Sequence, residues 1–212
     1  MDLLSVATGF FLGVRHCFEP DHLTAVAHFA SAAGRPRDGL RSGVLWGLGH
    51  GAAVLAIGIA LAALPPRAYS DGPMAERAVG ATLIALSLWR LRSLWRRAHV
   101  HVHGHEGGVV HVHPHVHERS HRHFHAPTLT GLVHGTAGAI GIVAMLAVAR
   151  TPLSMGLMAL SFATGAVVAM GAAGWVAGRL YASAAAAGWE RPAVAFTAAL
   201  GLALGVFWIL RA

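Results

Sequence analysis

The sequence predicts an all-α, polytopic membrane protein built as a bundle of six transmembrane helices. Three observations predict it. Of the 212 residues, 55% are hydrophobic and only 12% are charged, about half the charged share of a soluble globular domain. Mean hydropathy is +0.57. The apolar residues also fall into long runs, and a hydrocarbon core of ~30 Å needs about 20 such residues as a helix. A soluble enzyme, a nucleic-acid binder and a disordered tail do not fit this composition.

The elements follow in order, as one membrane domain over 1–212. Helices are expected at about 3–33, 40–64, 75–97, 127–149, 152–180 and 190–211, with a loop at 98–126. Leu3–Ala33 is long but holds Arg15, Glu19 and Asp21. Gly43–Leu64 and Ala126–Ala149 each carry one histidine and no charge. Pro152–Gly178 and Pro192–Leu210 carry neither. The third run, Ala78–Leu94, is the weakest, because Arg90 and Arg92 fall in its last turns. Their side chains are expected to snorkel to the interface beside Trp89 and Trp95.

The formal charge of +7 comes from arginine alone, at the ends of apolar runs and not in one stripe. That reads as topology, with no nucleic-acid partner. Arg35, Arg37 and Arg41 follow run one. Arg90, Arg92, Arg96, Arg97, Arg119 and Arg122 flank the connection of runs three and four, and Arg179 and Arg191 that of runs five and six. The other side holds Arg67, Arg77, Arg150 and Arg211. The positive-inside rule then puts both termini outside a cytoplasmic (inner) membrane and the 98–126 loop in the cytoplasm. A cleaved leader is disfavoured, because Met1-Asp2 is acidic and charges separate the apolar run from Ala30-Ser31-Ala32. The single Cys17 excludes an internal disulfide.

Run one contains Arg15-His16-Cys17-Phe18-Glu19-Pro20-Asp21-His22. Three ions facing lipid at mid-bilayer would cost roughly 8–10 kcal/mol on insertion scales. Such groups persist when they pair, line a wet cavity or bind something. Pro20 removes a backbone donor and clashes with the His16 carbonyl. His16, Asp21 and His22 point apart on an ideal helix, at ~100° per residue. They converge only if the helix kinks or unwinds near Pro20, which would also free carbonyls to act as ligands. Arg15 is expected to pair with Glu19, four residues on.

Two further histidines sit inside apolar runs. His50 lies in Gly47-Leu-Gly-His-Gly51 and His134 in Gly131-Leu-Val-His-Gly135. Counting 1.5 Å per residue puts His16, His50 and His134 each ~10–20 Å into its run. A lone intramembrane histidine is often a hydrogen-bonded packing group. The set of imidazoles with a carboxylate instead suits a divalent nickel, cobalt or zinc ion. Residues 99–125 hold eleven more: His99, His101, His103, His105, His111, His113, His115, His117, His121, His123 and His125. Most alternate with other residues, which in an extended chain puts them on one face. A short ribbon turning at Glu106-Gly107-Gly108, or a loop that orders on metal, is expected. Its role would be to buffer, sense or deliver metal.

These motifs carry a resemblance. His16-Cys-Phe-Glu-Pro-Asp21-His22 resembles the His-x4-Asp-His signature of the nickel/cobalt transporter superfamily, and Leu48-Gly49-His50 its Leu-Gly-His motif. Gly131-Leu-Val-His134-Gly135-Thr-Ala137-Gly138 resembles a motif of the UreH-type branch, the membrane urease accessory or nickel transport proteins. Where the classical permeases continue with Asp-Asn, this chain has Ala27-His28. Glu19-Pro20 is shared with the related exporters. The resemblance implies no prosthetic group, with nickel or cobalt as the transported ion. It implies His16, Asp21 and His22 as metal-handling residues, then His50 and His134. Glu19, Pro20 and His28 are candidates for metal contact or gating. Uptake is the expected direction and efflux the alternative. A cytoplasmic nickel chaperone is a candidate partner beside the lipid bilayer. A membrane metalloenzyme is disfavoured, because its boxes would space histidines as on a helix, whereas the loop histidines mostly alternate and the intramembrane ones are spread over three runs.

Overall fold

The computed structural model describes residues 3–63, 73–96, 100–104, 110–114, 125–137 and 151–212. Its helices are α1 (Leu3–His16), α2 (Pro20–Ala33), α3 (Pro36–Ala63), α4 (Pro73–Arg96), α5 (His125–Ala137), α6 (Pro152–Ala186) and α7 (Glu190–Arg211). A two-stranded antiparallel ribbon, β1 (Val100–Gly104) and β2 (Val110–Pro114), lies between α4 and α5. Among the described residues, three helices are long and apolar enough to cross a membrane: α3 over Pro36–Ile59, α6 over Leu153–Ala186, and α7. The expected fourth span, 127–149, lies outside the described residues beyond Ala137.

The expected helix 3–33 is two helices of 14 residues each. At 1.5 Å per residue each is ~21 Å long, too short to span a ~30 Å core alone. The break at Cys17–Glu19 follows from Pro20. Pro20 cannot donate to the His16 carbonyl, and that carbonyl instead accepts from the Glu19 N–H at 3.1 Å. The carbonyl expected to be freed is therefore already bonded. Pro20 then opens α2 at a position where no donor is needed. Gly34, at φ 69°, ends α2 in the left-handed conformation.

Helix α2 occupies the centre and touches α3, α4, α5, α6 and α7. Its Asp21, His22, Thr24, Ala25, Val26, His28, Phe29, Ala30 and Ser31 are all buried. The longest contacts flank it, between α3 and α6, α3 and α5, α1 and α6, and α4 and α7. Backbones approach closely there, as small residues permit in membrane bundles. Along α3, Gly39, Gly43, Gly47 and Gly51 meet the backbone or Cβ of Gly174, Met170, Val167 and Ala163 on α6. The α3–α5 contact is reciprocal. Gly49 lies against the Thr128 carbonyl, Gly131 against the Trp46 carbonyl and Gly135 against the His50 carbonyl. On α5 both glycines of the Gly-Leu-x-His-Gly pattern meet α3, whereas on α3 Gly47 and Gly51 face α6 and Gly49 between them meets α5. Leu3, Phe11, Ile59, Leu153, Leu160, Phe196 and Leu210 remain exposed on the outer surface.

Arg90 does not snorkel. It is 2% exposed. Its Nε donates to Ser31 Oγ at 2.9 Å, and its Nη2 donates to the Ser31 carbonyl at 3.0 Å. The guanidinium thus closes the C-terminal end of α2, where free carbonyls favour a cation. His28 belongs to the same seam. Its Nδ1 donates to the Thr24 carbonyl at 2.7 Å, and its Nε2 lies 3.0 Å from Ser87 Oγ on α4. The hydroxyls of Tyr181 and Thr197 bond across the α6–α7 corner.

Candidate metal centre

Four histidines from four helices meet beside the α1–α2 break. His16 ends α1, and His22 lies in the first turn of α2. His50 sits midway along α3, and His134 near the end of α5. One ligand atom from each of His16, His22 and His50 lies within 4.8 Å of the others. Their ring centroids are 4.5 Å apart for His16 and His22, and 5.1 Å from each of these to His50. The Nε2 atoms of His16 and His22 are 3.1 Å apart, so one donates and the other accepts. The His134 ring centroid is 5.7 Å from that of His22.

His50 is 0%, His134 1% and His22 3% exposed, so these rings are shut away from solvent. Buried polar atoms are normally paired, and leaving one unpaired costs about 1–3 kcal/mol. Among the described residues, five buried side-chain polar atoms have no hydrogen-bond partner, and all five lie here. They are both nitrogens of His50, Nδ1 of His22, Nε2 of His134 and Nε1 of Trp46. Lone pairs of neutral imidazole at such a position suit a borderline divalent cation.

Two carboxylates stand around the rings. Glu19 Oε1 lies 2.9 Å from His16 Nδ1, so Glu19 turns to His16 and not to Arg15 as the four-residue spacing predicts. The broken helix removes the geometry that spacing assumed. Asp21 Oδ1 lies 3.0 Å from His22 Nδ1, within ionic reach but off a hydrogen-bond direction. Glu19, Asp21 and His22 form a second group of three within 4.8 Å, so His22 belongs to both. Pro20 supplies the break and no ligand atom.

His28 is not brought to this group, since both of its ring nitrogens face Thr24 and Ser87. His125, the first residue of α5, is exposed. In the ribbon, the register sets His101 opposite His113 and His103 opposite His111, with Val102 opposite Val112. His99, His105, His115, His117, His121 and His123 lie outside the described residues.

Sequence reasoning missed the walls. Trp46 is fully buried, and its ring stacks on His50 at 5.1 Å and 11°. It also meets His22 at 5.1 Å and His134 at 5.6 Å. Phe162 on α6 closes the other side, 5.6 Å from His16 and 6.5 Å from His50. Trp46 and His50 are four residues apart, one turn of the same helix face. That spacing was the available signal.

The chain is similar to a urease accessory protein, UreH, of Bacillus sp. (strain TB-90). The two are 28% identical over 145 residues, which is 68% of this chain and 62% of the relative. The likeness bears out the resemblance to the UreH-type branch. The aligned part spans less than two thirds of that relative's length. No family model matches the chain, and no solved structure does.

Proposed function

We propose that this protein carries nickel or cobalt ions across the cytoplasmic membrane, in the inward direction. The observation that carries the reading is the convergence of His16, His22 and His50 around unpartnered ring nitrogens inside a bundle of apolar helices. A store or sensor has no need of ligands within the bilayer. Imidazole donors favour nickel, cobalt and zinc over magnesium and calcium, which take oxygen. Urease is a nickel enzyme, and the relative is named as an accessory protein of urease, not as an enzyme. That supports a carrier reading over a metalloenzyme.

In this reading all six expected helices span the membrane, with the termini outside. The ion enters from outside, rests at His16, His22 and His50 with Asp21 beside His22, and passes His134. The histidine loop receives it in the cytoplasm and can pass it to a nickel chaperone. His28 serves as packing between α2 and α4. Alternation between outward- and inward-open states would shift the half-helices α1 and α2 against their neighbours.

Radioactive nickel accumulation in cells lacking their own nickel transporters tests this. Higher accumulation with the protein than without it supports uptake. Lower accumulation with nickel resistance would mean efflux. No change, with the protein confirmed in the membrane, would sink both.

A binding test is independent of direction. Nickel is expected to quench the emission of Trp46, because that ring stacks on His50. The quench should be lost in Trp46→Phe, which keeps the five other tryptophans. An equal quench in the variant would place the ion elsewhere.

A further inference from the structure

We infer that Glu19 is a positioning residue, which fixes the ring of His16 from behind and does not itself hold the ion. The inference rests on the carrier reading above and refines its pocket.

Glu19 grips residue 16 twice. Its N–H donates to the His16 carbonyl at 3.1 Å, and its carboxylate accepts from His16 Nδ1 at 2.9 Å. Both bonds are set by the break that Pro20 forces. With the proton held on Nδ1, the lone pair of His16 lies on Nε2. That nitrogen is the one 3.1 Å from His22 Nε2. An oxygen behind a ligating histidine orients the ring and raises its basicity.

The same arrangement recurs in the pocket. His134 Nδ1 donates to the Thr130 carbonyl at 2.9 Å, and its Nε2 is left without a partner. Asp21 also stands 3.0 Å from Nδ1 of His22, but off a hydrogen-bond direction. Two of the four rings, His16 and His134, thus bond an oxygen through Nδ1. The competing role for Glu19 is direct ligation, since it lies within 4.8 Å of Asp21 and His22 ligand atoms. Ligation by Oε1 would break the bond to His16. The Glu19 side chain is also 50% exposed, against 11% for His16, so it sits at the rim of the pocket.

The test uses the full-length chain in lipid nanodiscs, with cobalt(II) as probe. Affinity is read by calorimetry, and ligation by the visible d–d spectrum. Glu19→Ala is expected to weaken binding about 10–100-fold, the usual cost of losing an outer partner of a metal ligand. Glu19→Gln is expected to recover most of that loss, because its amide oxygen still accepts from Nδ1–H. Its cobalt spectrum should match that of wild type.

A Gln variant as weak as Ala, or one with an altered spectrum, would make Glu19 a ligand and overturn the inference. So would an Ala variant that binds like wild type. If Ala fails to fold, the Gln spectrum alone decides. Wild-type protein that binds neither cobalt nor nickel would defeat the carrier reading itself, and the inference with it.

Discussion

His22→Ala is expected to lower nickel affinity by more than about 100-fold and to bring cellular accumulation to the background level. The lower bound is the largest usual cost of an outer-shell change, and His22 is placed as a direct ligand. His22 is shared by both ligand groups, and its ring touches His16, His50, Trp46 and His134. Its loss also leaves Asp21, 5% exposed, without its neighbouring ring. Removing one partner of a buried pair is strongly destabilising. Helix content of the purified variant is therefore measured alongside affinity, and His22→Gln preserves volume if alanine disturbs the fold. Thr164→Ala, exposed on α6, should bind as wild type does. Near-normal affinity in well-folded His22→Ala would defeat the proposed site.

The second large effect is expected from Gly131→Val. A Cβ at Gly131 would collide with the Trp46 carbonyl. The backbone fixes the Cβ and the atom it meets is a backbone carbonyl, so no rotamer relieves the clash. Overpacking a core costs roughly 1–3 kcal/mol where side chains can yield, and this site should exceed that range. The displaced helix also carries His134, while its partner carries Trp46 and His50. Thermal unfolding in detergent should show a much lower midpoint, together with weakened nickel binding. Gly131→Ala should do the same to a smaller extent. A valine variant with the wild-type midpoint would mean that α3 and α5 do not approach as described.

The chemistry of the site was largely legible, because charged and imidazole groups are costly in an apolar run. His16, Asp21, His22, His50 and His134 stand out against their neighbours for that reason alone. Pro20 marked where the first helix breaks. Partners were less legible. The Arg15–Glu19 pairing assumed an unbroken helix, and three non-helical residues redirect Glu19 to His16. Snorkelling of Arg90 assumed that lipid was its only surrounding. The carbonyl and hydroxyl of Ser31, nearly sixty positions away in sequence, are invisible to a local rule. Trp46 and Phe162 read as ordinary apolar residues, since nothing in composition separates a wall of the pocket from any other part of the core.

The glycine face of α3 has one more consequence. Gly39, Gly43, Gly47 and Gly51 recur every four residues and meet α6 with almost no side chain between. A slide of four residues, ~6 Å at 1.5 Å per residue, would bring glycine where glycine had been. The glycine row by itself therefore specifies the vertical setting of α3 only weakly. Contacts that do not repeat fix the setting, among them those of Gly49 with α5, of Trp46 with Ala166 and Met170, and of His50 with His16 and His22. An ion shared among those rings would then act as a pawl, fixing on which tooth the helix rests.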